Sequence, residues 1–297
     1  MQKLLFTGGT GFLGKNAKPI LDKTYEVTTI GISDADMLKA DFVKDIPELP
    51  EKYDIVLHAA GKAHVYPKTP EEVQSFYDVN YTGTIHLCRA LEKIGTPISF
   101  IFISTSGVYG LENGDSVTED YPLIAEWPYA KSKIMAEEYL QKWCRENDVV
   151  LTILRPSLLV GKGAPGNLGA MIKGIKSGAY LSIAHGKARK SLLMAEDIAN
   201  IVTLAKDKGG IYNVCDSYNP SFGELEKCIA KQLGKRAPIS IPYWIAKCFA
   251  LLGDIFRFFP INSYRLEKIV TSDTLCNERA KKELGWEPLD VLNNYKI

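Results

Sequence analysis

The chain has 297 residues, of which 46% are hydrophobic, and its formal net charge at pH 7 is +1. This length is enough for one large domain or two smaller ones with a substantial core. A nearly neutral chain argues against nucleic acid as the main partner, because proteins that bind the phosphate backbone usually carry a basic excess. The six cysteines are scattered without a Cys-x-x-Cys pair. This pattern argues against a zinc site or a disulfide framework, and it favours reduced thiols in the cytoplasm.

The first half of the chain alternates strand-like and helix-like segments, and it begins with an apolar run that lacks the layout of a signal peptide. The strand-like runs are continuously apolar, which indicates parallel strands covered on both faces. The alternation predicts an α/β fold with a Rossmann-type, doubly wound parallel sheet. The strands are predicted at Lys3–Thr7, Tyr25–Gly31, Asp54–His58, Ser99–Ser104 and Val149–Leu154, and the helices at Gly11–Leu21, Asp78–Ile94 and Pro128–Glu146.

The second half is less regular and is predicted to be mostly helical. Helices are expected at Leu168–Lys176, Ala195–Ala205, Ser221–Leu233, Trp244–Phe258 and Asn277–Leu284, with a short strand at Ile211–Val214. The segment Ile239–Ile261 is rich in apolar and aromatic residues, but Pro242, Lys247, Asp254 and Arg257 interrupt it, so we expect no membrane-spanning helix. The helix Trp244–Phe258 is predicted to be buried, with contact to a partner or a membrane surface as the alternative.

A glycine-rich turn follows the first strand. Gly8, Gly11 and Gly14 are spaced by three residues between a strand and a helix, which is the placement that a dinucleotide site requires. Glycine permits the tight turn and lets backbone N–H groups approach the pyrophosphate, while the helix N-terminus favours its negative charge. A small-residue turn at Ala59–Gly61 follows the strand Asp54–His58, and it would let the cofactor lie against the backbone.

The acid that usually ends the second strand is missing. The chain reads Ile30-Gly-Ile-Ser33 there, and Asp34 and Asp36 come just beyond. A carboxylate at this position would bind the ribose hydroxyls of NAD and repel the extra phosphate of NADP. Its absence gives a slight preference for NADP, whose phosphate would meet Ser33 or Lys39. Asp34 could still turn toward the ribose.

Tyr129 and Lys133 are four residues apart on a predicted helix and therefore share one face. A neighbouring ammonium stabilises a phenolate, so we expect Lys133 to lower the pKa of Tyr129. Such a phenol can take or give a proton at a hydroxyl or carbonyl carbon when a hydride acceptor lies beside it. Nothing in this chemistry needs a metal.

Taken together, these motifs resemble the extended short-chain dehydrogenase/reductases of the NAD-dependent epimerase/dehydratase family, which act on nucleotide sugars. The resemblance covers nearly the whole chain. Its motifs are the glycine turn, His58-Ala-Ala-Gly61, Asn80-x-x-Gly83-Thr84, Ser104-Thr-Ser-Gly-Val-Tyr-Gly110, Tyr129-x-x-x-Lys133, Leu154-Arg-Pro156 and Leu284-Gly-Trp-x-Pro288.

The resemblance implies a site and an organisation for the chain. Thr105, Tyr129 and Lys133 are the expected catalytic residues. The expected NAD(P)-binding residues are Gly8, Thr10, Gly11, Phe12, Leu13, Gly14, Ser33, Asp41, Phe42, His58, Ala59, Ala60, Gly61, Asn80, Ser104, Tyr129, Lys133 and Pro156. The expected substrate-binding residues are Thr105, Ser106, Tyr129, Asn167, Arg189, Lys190 and Arg265. Asn80 is expected to order backbone, and Tyr109 to pack. Asn167 is equally suited to cap a helix.

The same resemblance predicts a dinucleotide-binding domain at 1–165, to which roughly 195–215 return. It also predicts a smaller, mostly helical C-terminal substrate domain at 166–194 and 216–297. We expect a UDP-sugar as substrate, no nucleic-acid partner, and a homodimer formed through the helices that start near Asp78 and Pro128.

Two reactions are compatible with this site, and a third is disfavoured. A 4-epimerase oxidises C4 of the sugar and reduces it again from the other face, whereas a 4-ketoreductase reduces a 4-keto sugar once. A 4,6-dehydratase needs an acid pair directly after the Ser/Thr, but Ser106 and Gly107 stand there. The length, the missing acid and the segments around Asn167 and Arg189 favour reduction of a 4-keto-6-deoxy-amino sugar narrowly over epimerisation. A non-catalytic relative that binds NADP(H) is the alternative from another class, although such relatives usually lose the tyrosine or the lysine.

Overall fold

The computed structural model describes residues 1–63, 65–111, 113–256 and 261–297, except for the side chain of Tyr264. The strands are β1 (Lys3–Thr7), β2 (Glu26–Gly31), β3 (Leu38–Lys39), β4 (Ile55–His58), β5 (Ser99–Ile103), β6 (Gly114–Val117), β7 (Val150–Pro156), β8 (Leu158–Val160), β9 (Leu181–Ile183), β10 (Leu192–Met194), β11 (Gly210–Val214), β12 (Ile239–Ile241) and β13 (Asp273–Leu275). The helices are α1 (Phe12–Leu21), α2 (Pro70–Tyr77), α3 (Gly83–Ile94), α4 (Pro128–Glu146), α5 (Gly166–Ser177), α6 (Asp197–Ala205), α7 (Phe222–Gln232), α8 (Tyr243–Ile255), α9 (Ser263–Val270), α10 (Glu278–Leu284) and α11 (Val291–Asn294).

Seven of the described strands form one sheet, in the order β11-β7-β5-β4-β1-β2-β3. Every neighbouring pair in it is parallel. The chain winds outward from β1 to β3 and then crosses back to β4 on the other side of β1. Ligands of such sheets bind beyond the carboxyl ends of the strands, where the winding direction reverses. The predicted α/β, Rossmann-type fold is confirmed.

Both faces of this sheet are covered, which explains why its strands are continuously apolar. Leu4 and Phe6 of β1 pack in a cluster with residues of α1, α6 and α10. Leu5, between them, points to the opposite face and packs in a cluster with residues of α3 and α4. All three are fully buried. Burial of each such side chain stabilises the fold by about 1.5–3 kcal/mol, so the two clusters fix the register of the central strand.

The helix predicted at Asp78–Ile94 starts earlier, at Pro70. The Thr69 hydroxyl caps it by accepting a hydrogen bond from the backbone nitrogen of Glu72 at 3.3 Å. Between α2 and α3 the helix widens into a π-helical segment, Asp78–Thr82. Such π-helical segments are rare in proteins. Those that do occur are often found at functional sites. This one contains Asn80, whose role is described below.

Two carboxylates, one at the start of α6 and one just after β11, bind the backbone near the end of the described chain. The Asp197 carboxylate at the start of α6 accepts a hydrogen bond from the backbone nitrogen of Leu289 at 2.8 Å. The Asp216 carboxylate, just after β11, accepts one from Val291 at 2.8 Å. Trp286 is 1% exposed and packs in the cluster of α1 and α6. These contacts hold α10 and α11 against elements that lie far earlier in the chain.

The prediction that the apolar helix near Trp244 is buried is wrong for its described part. In α8 only Ala246 and Ala250 are buried, whereas Trp244 is 67% and Ile255 72% exposed. Arg257 and Phe258, which the prediction included, lie outside the described residues. Among the residues that the structure describes, no helix is both long and apolar enough to cross a membrane.

Candidate active site

The glycine turn after β1 lies tightly against the loop that follows β4. Gly8 has a φ of +77°, and a Cβ built on it would lie 2.8 Å from the backbone nitrogen of Ala60. A Cβ on Gly14 would lie 2.0 Å from the carbonyl oxygen of Gly9. Both contacts are too short for any side chain. The turn is closed by a hydrogen bond from Gly11 N to the Gly8 carbonyl at 3.0 Å, and Gly11 is the N-cap of α1.

Several of the predicted cofactor residues lie beyond the carboxyl ends of β1 and β4. Phe12 and Leu13 are the first residues of α1, and Thr10 is within the turn. The loop after β4 is held by Thr7, whose hydroxyl accepts a hydrogen bond from Ala60 N at 3.0 Å and whose carbonyl accepts one from Ala59 N at 3.2 Å.

His58, a predicted cofactor residue, has its side chain enclosed by its neighbours. Its ring is 2% exposed, and its two nitrogens are bonded to the hydroxyls of Thr7 at 2.7 Å and Thr84 at 2.9 Å. Burial, together with the nearby charge of Lys133, lowers the pKa of His58 to about 3. The imidazole is thus neutral, and its role is to position the loop after β4.

Asn80 connects this loop to α4. Its Oδ1 accepts a hydrogen bond from Lys62 N at 2.7 Å, and its Nδ2 donates to the Lys62 carbonyl and to the Ser132 hydroxyl. Asn80 makes all three bonds from within the π-helical segment. A Cβ built on Gly61 would lie 3.0 Å from Asn80 Oδ1 and 3.3 Å from Lys133 Nζ, so the loop passes directly beside the lysine.

The three predicted catalytic residues come together at the carboxyl end of β5. Thr105 follows this strand, and its hydroxyl accepts a hydrogen bond from Gly107 N at 3.1 Å. Tyr129 is the second residue of α4, and the Thr105 side chain is near enough to influence its pKa. Lys133, one turn further along α4, is 4% exposed. Its ammonium donates to the carbonyl of Ile103 at 2.9 Å.

The charges of the site differ from the prediction in one respect. Burial lowers the pKa of Lys133 to about 8, opposed by the carboxylate of Glu137. Burial raises the pKa of Tyr129, and the hydrogen bond from Thr105 opposes that shift. We expected Lys133 to lower the pKa of Tyr129. In the structure the pKa of Tyr129 is raised, and Thr105, not Lys133, is the group that opposes the rise.

A buried polar network lies under these residues, and the sequence did not reveal it. Glu137, four residues after Lys133 and fully buried, binds Arg155 of β7 through two bonds of 2.6 and 3.2 Å. Ser104 donates its hydroxyl to the same carboxylate, so this predicted cofactor residue faces the core. Tyr109 does more than pack, because its hydroxyl donates to Asn213 at 2.6 Å and accepts from Arg155 at 3.2 Å.

Three further predicted cofactor residues use their side chains elsewhere. Phe42 is 8% exposed and belongs to the cluster of α3 and α4. The Asp41 carboxylate accepts a hydrogen bond from Val43 N at 3.1 Å and pairs with Lys44 at 3.4 Å. Pro156 ends β7 and is buried. The contact of these residues with a cofactor stays a prediction.

The carboxyl end of β2 also differs from the prediction. The Lys39 ammonium, a predicted phosphate contact, pairs with Asp34. The Ser33 hydroxyl accepts a hydrogen bond from Ala35 N at 3.2 Å. Asp36 turns its carboxylate back toward Gly31, the residue that replaces the usual acid. An acid is therefore present at this position after all, and the stated reason for preferring NADP is wrong.

The predicted substrate residues are placed less tightly. Ser106 opens the short turn after Thr105. Asn167 is the exposed second residue of α5, whose N-cap is Pro165, so the alternative that Asn167 caps this helix is wrong. Arg265 lies in the first turn of α9, where its backbone nitrogen donates to the Asn262 side chain at 2.9 Å.

Arg189 and Lys190 lie on the segment that leads into β10. The Arg189 guanidinium donates to the carbonyl of Asn219 at 2.7 Å and lies 5.6 Å from the centre of the Tyr218 ring. Burial lowers the pKa of Lys190, and Asp273 opposes this shift. Both cations are thus held by neighbouring segments. In the described part of the chain, no group of three or more His, Cys, Asp or Glu side chains is arranged to hold a metal ion.

The NAD dependent epimerase/dehydratase family model matches residues 4–215. The chain belongs to this family, which confirms the resemblance and makes the protein an NAD(P)-dependent enzyme. It is 28% identical, over 89% of its length and 84% of the relative's, to the N-acetyl-alpha-D-glucosaminyl-diphospho-ditrans,octacis-undecaprenol 4-epimerase of Escherichia coli O157:H7. It is 27% identical to the Vibrio cholerae UDP-glucose 4-epimerase over 98% of this chain and 92% of the relative. It is also 27% identical to the Pseudomonas aeruginosa GDP-6-deoxy-D-mannose reductase, over 77% of this chain and 79% of that one.

Solved structures share the fold at lower identity. The Pseudomonas aeruginosa protein RMD, complexed with NADPH, has a TM-score of 0.76 at 20% identity, covering 99% of this chain and 96% of that one. The Thermus thermophilus UDP-glucose 4-epimerase, in complex with NAD, has a TM-score of 0.71 at 21% identity, covering 96% and 94%.

Proposed function

We propose that the protein interconverts the two C4 epimers of a UDP-sugar with a bound nicotinamide dinucleotide. The observation that carries this proposal is the proximity of the Thr105 side chain to Tyr129, one helical turn before the buried Lys133, at the sheet edge where the glycine turn lies. The relatives of Escherichia coli and Vibrio cholerae that are named as 4-epimerases support it.

The described residues fit a dinucleotide. The glycine turn and the loop at Ala60 approach each other without side chains between them, which leaves backbone on the surface of a cradle. The N-terminus of α1 would face the pyrophosphate, and Lys133 would hold the nicotinamide ribose. When bound, the cofactor supplies the acceptor and donor of the hydride.

Each catalytic side chain then has a distinct role at the sugar. The Tyr129 hydroxyl exchanges a proton with the oxygen on C4, and the Thr105 hydroxyl positions that oxygen by a hydrogen bond. Burial raises the pKa of Tyr129 and Thr105 opposes that shift, so Thr105 helps the phenol to act as a base. Ser106 and Gly107 offer no acid pair after Thr105, so elimination of water is disfavoured.

Reduction of a 4-keto sugar is the second candidate, and it was the preferred reading of the sequence. The raised pKa of Tyr129 favours it, since a protonated phenol is what a ketone needs as proton donor. The relative named GDP-6-deoxy-D-mannose reductase supports it as well. The absence of an acid from the end of β2 no longer supports reduction, because Asp36 turns its carboxylate toward that position.

One experiment separates these reactions. The purified protein is examined for copurified cofactor by its reduced-nicotinamide absorbance, and then incubated with UDP-glucose, UDP-N-acetylglucosamine or a UDP-4-keto-6-deoxy-amino sugar. We expect C4 epimers without net cofactor consumption. Stoichiometric NAD(P)H consumption with the keto sugar, and no epimer from the others, would replace epimerisation by reduction.

A related experiment tests whether the sugar is carried by UDP or by a polyprenyl diphosphate. The exposed apolar face of α8 would suit a substrate on a polyprenyl diphosphate, as in the name of the Escherichia coli relative. Flotation with phospholipid vesicles, followed by assays with UDP-linked and polyprenyl-linked sugars, distinguishes the two carriers. Turnover of the UDP-sugar alone, without vesicle binding, supports our proposal.

We also propose a cytoplasmic homodimer formed through α3 and α4. Tyr81, just before α3, and Tyr139 of α4 are half-buried and meet edge to face at 6.3 Å. They would form part of a four-helix contact with a second copy. Light scattering that gives the mass of a single chain would contradict the dimer.

A further inference from the structure

The carboxyl end of β2 holds an acid that comes from outside the strand. Asp36 lies five residues after Gly31, and the segment between them turns back on itself. Asp36 N donates to the Ser33 carbonyl at 3.1 Å, and Met37 N donates to the Thr29 hydroxyl at 3.0 Å. A Cβ built on Gly31 would lie only 2.7 Å from Asp36 Oδ2. The carboxylate thus occupies space that a side chain at the strand end would fill.

Two hydrogen bonds hold this carboxylate against the glycine turn. The Thr10 hydroxyl donates to Asp36 Oδ2 at 3.2 Å, and Ser33 N donates to the same oxygen at 3.3 Å. Thr10 is part of the turn that would hold the pyrophosphate. The carboxylate therefore lies beside the path from the pyrophosphate to the adenosine ribose.

The second oxygen of this carboxylate is enclosed but unused. Asp36 Oδ1 is buried and has no hydrogen-bond partner among the described residues. Two nearby cations are engaged elsewhere, because Lys39 pairs with Asp34 and Lys18 with Asp22. A buried oxygen without a donor is unfavourable, so a hydroxyl of a ligand that reached it would gain a strong hydrogen bond.

We propose that Asp36 binds the hydroxyls of the adenosine ribose and makes the protein prefer NAD(H) over NADP(H). This inference rests on the cofactor part of the proposed function. Asp36 accepts the hydroxyls through Oδ1, and its charge repels a phosphate on the same ribose. Gly31 is also required for this role of Asp36, because any side chain at Gly31 would displace the carboxylate.

Direct binding measurements test this without any sugar substrate. The affinities of NADH and NADPH are measured for the whole protein by fluorescence titration after removal of copurified cofactor. We expect NADH to bind at least about tenfold more tightly than NADPH, as one good charge-assisted contact permits. Asp36→Asn should reduce this ratio to about threefold or less. Asp34→Asn, which removes the same charge from an exposed neighbour, should leave the ratio unchanged.

A second pair of variants tests the role of the glycine. Gly31→Ala should lower the NADH preference as Asp36→Asn does, although it keeps the acid. The double variant Gly31→Asp, Asp36→Ala should restore the preference, because it moves the carboxylate to the strand end. These variants keep the inference testable if Asp36→Asn does not fold.

Three results would overturn the inference. They are NADPH binding as tight as NADH in the unmodified protein, a ratio that Asp36→Asn leaves unchanged, and an equal effect of Asp34→Asn. A protein that prefers NADH but turns over no nucleotide sugar would refute the proposed reaction and leave the role of Asp36 in place.

Discussion

The carboxyl edge of the main sheet and the helix α8 are built in opposite ways. At the sheet edge, polar side chains are enclosed and bonded to each other, as with Asn80, Lys133 and Glu137, each at most 4% exposed. In α8, apolar side chains such as Trp244 and Ile255 are more than half exposed. The first region holds its groups in place by its own contacts, whereas the second presents a surface that the described chain leaves uncovered.

This difference separates a rigid site from an open surface. Proton transfer needs atoms held to within a fraction of an ångström, and buried networks provide that rigidity. The exposed apolar face of α8 has no such network, so it is available to contacts from outside the described chain.

The largest effect is expected from the phenol itself. Tyr129→Phe should lower turnover about 10²–10⁴-fold, because the proton on the sugar oxygen loses its acceptor and donor. NADH affinity should change little. Tyr121→Phe, which alters a half-exposed tyrosine of the same region, should keep full activity. Undiminished turnover by Tyr129→Phe would show that the site has been misassigned.

The buried ion pair should matter most for stability. Glu137→Gln should lower the free energy of unfolding by about 3–5 kcal/mol, because it leaves the Arg155 charge buried without its partner. The measurement is denaturant unfolding followed by circular dichroism. As a control, Glu126→Gln breaks the exposed pair with Lys131 and should have no measurable effect. Equal effects of the two variants would contradict the view that the edge is held by its network.

The neutral His58 should make the fold sensitive to acid. Its pKa is about 3 in the folded chain and 6.5 when unperturbed, so the unfolded chain binds a proton first as the pH falls below 6.5. The free energy of unfolding should therefore fall with pH in that range, by at most about 1.4 kcal/mol per unit from this residue. His58→Gln lacks this contribution, so the stability gap between it and the unmodified protein should narrow as pH falls. A constant gap would show that the ring is not held neutral.

A smaller effect is expected at the substrate side. Arg189→Ala should raise the KM for the nucleotide sugar about tenfold while kcat stays unchanged, as loss of one charge-assisted contact implies. Lys187→Ala removes an exposed charge nearby and serves as the control. A fall in kcat without a change in KM would place Arg189 with the catalytic groups instead.

The smallest effect is expected from α8. Trp244→Ser should change the free energy of unfolding by about 0.5 kcal/mol or less, because the indole is exposed. A loss of several kcal/mol in thermal unfolding would mean that this face is covered in solution. A dimer that dissociates in the variant would identify the cover as a second copy.

The sequence predicted those features that local patterns determine. The strand Lys3–Thr7 and the helix Pro128–Glu146 have the predicted bounds, because continuous apolar runs and a proline at the helix start are local signals. The glycine turn was readable since its spacing reflects backbone geometry.

Features that depend on returning segments were not readable. The bond from Asp36 to Thr10 joins two loops, and the pair of Glu137 and Arg155 joins α4 to β7. The spacing of Glu137 after Lys133 was visible, but its partner was not. The exposure of α8 was missed because apolar composition indicates burial without saying against what.

The hydrogen bonds that Asp197 and Asp216 accept from Leu289 and Val291 have a consequence for folding during synthesis. They join residues that are 92 and 75 positions apart in the chain. Contacts over such separations form slowly, since the chain must lose the conformational entropy of a long loop before the contact stabilises it. During synthesis, α6 and β11 emerge well before Leu289 and Val291, so their outer side stays uncovered until the ribosome has added those residues. A nascent chain halted before that point would expose apolar surface to chaperones.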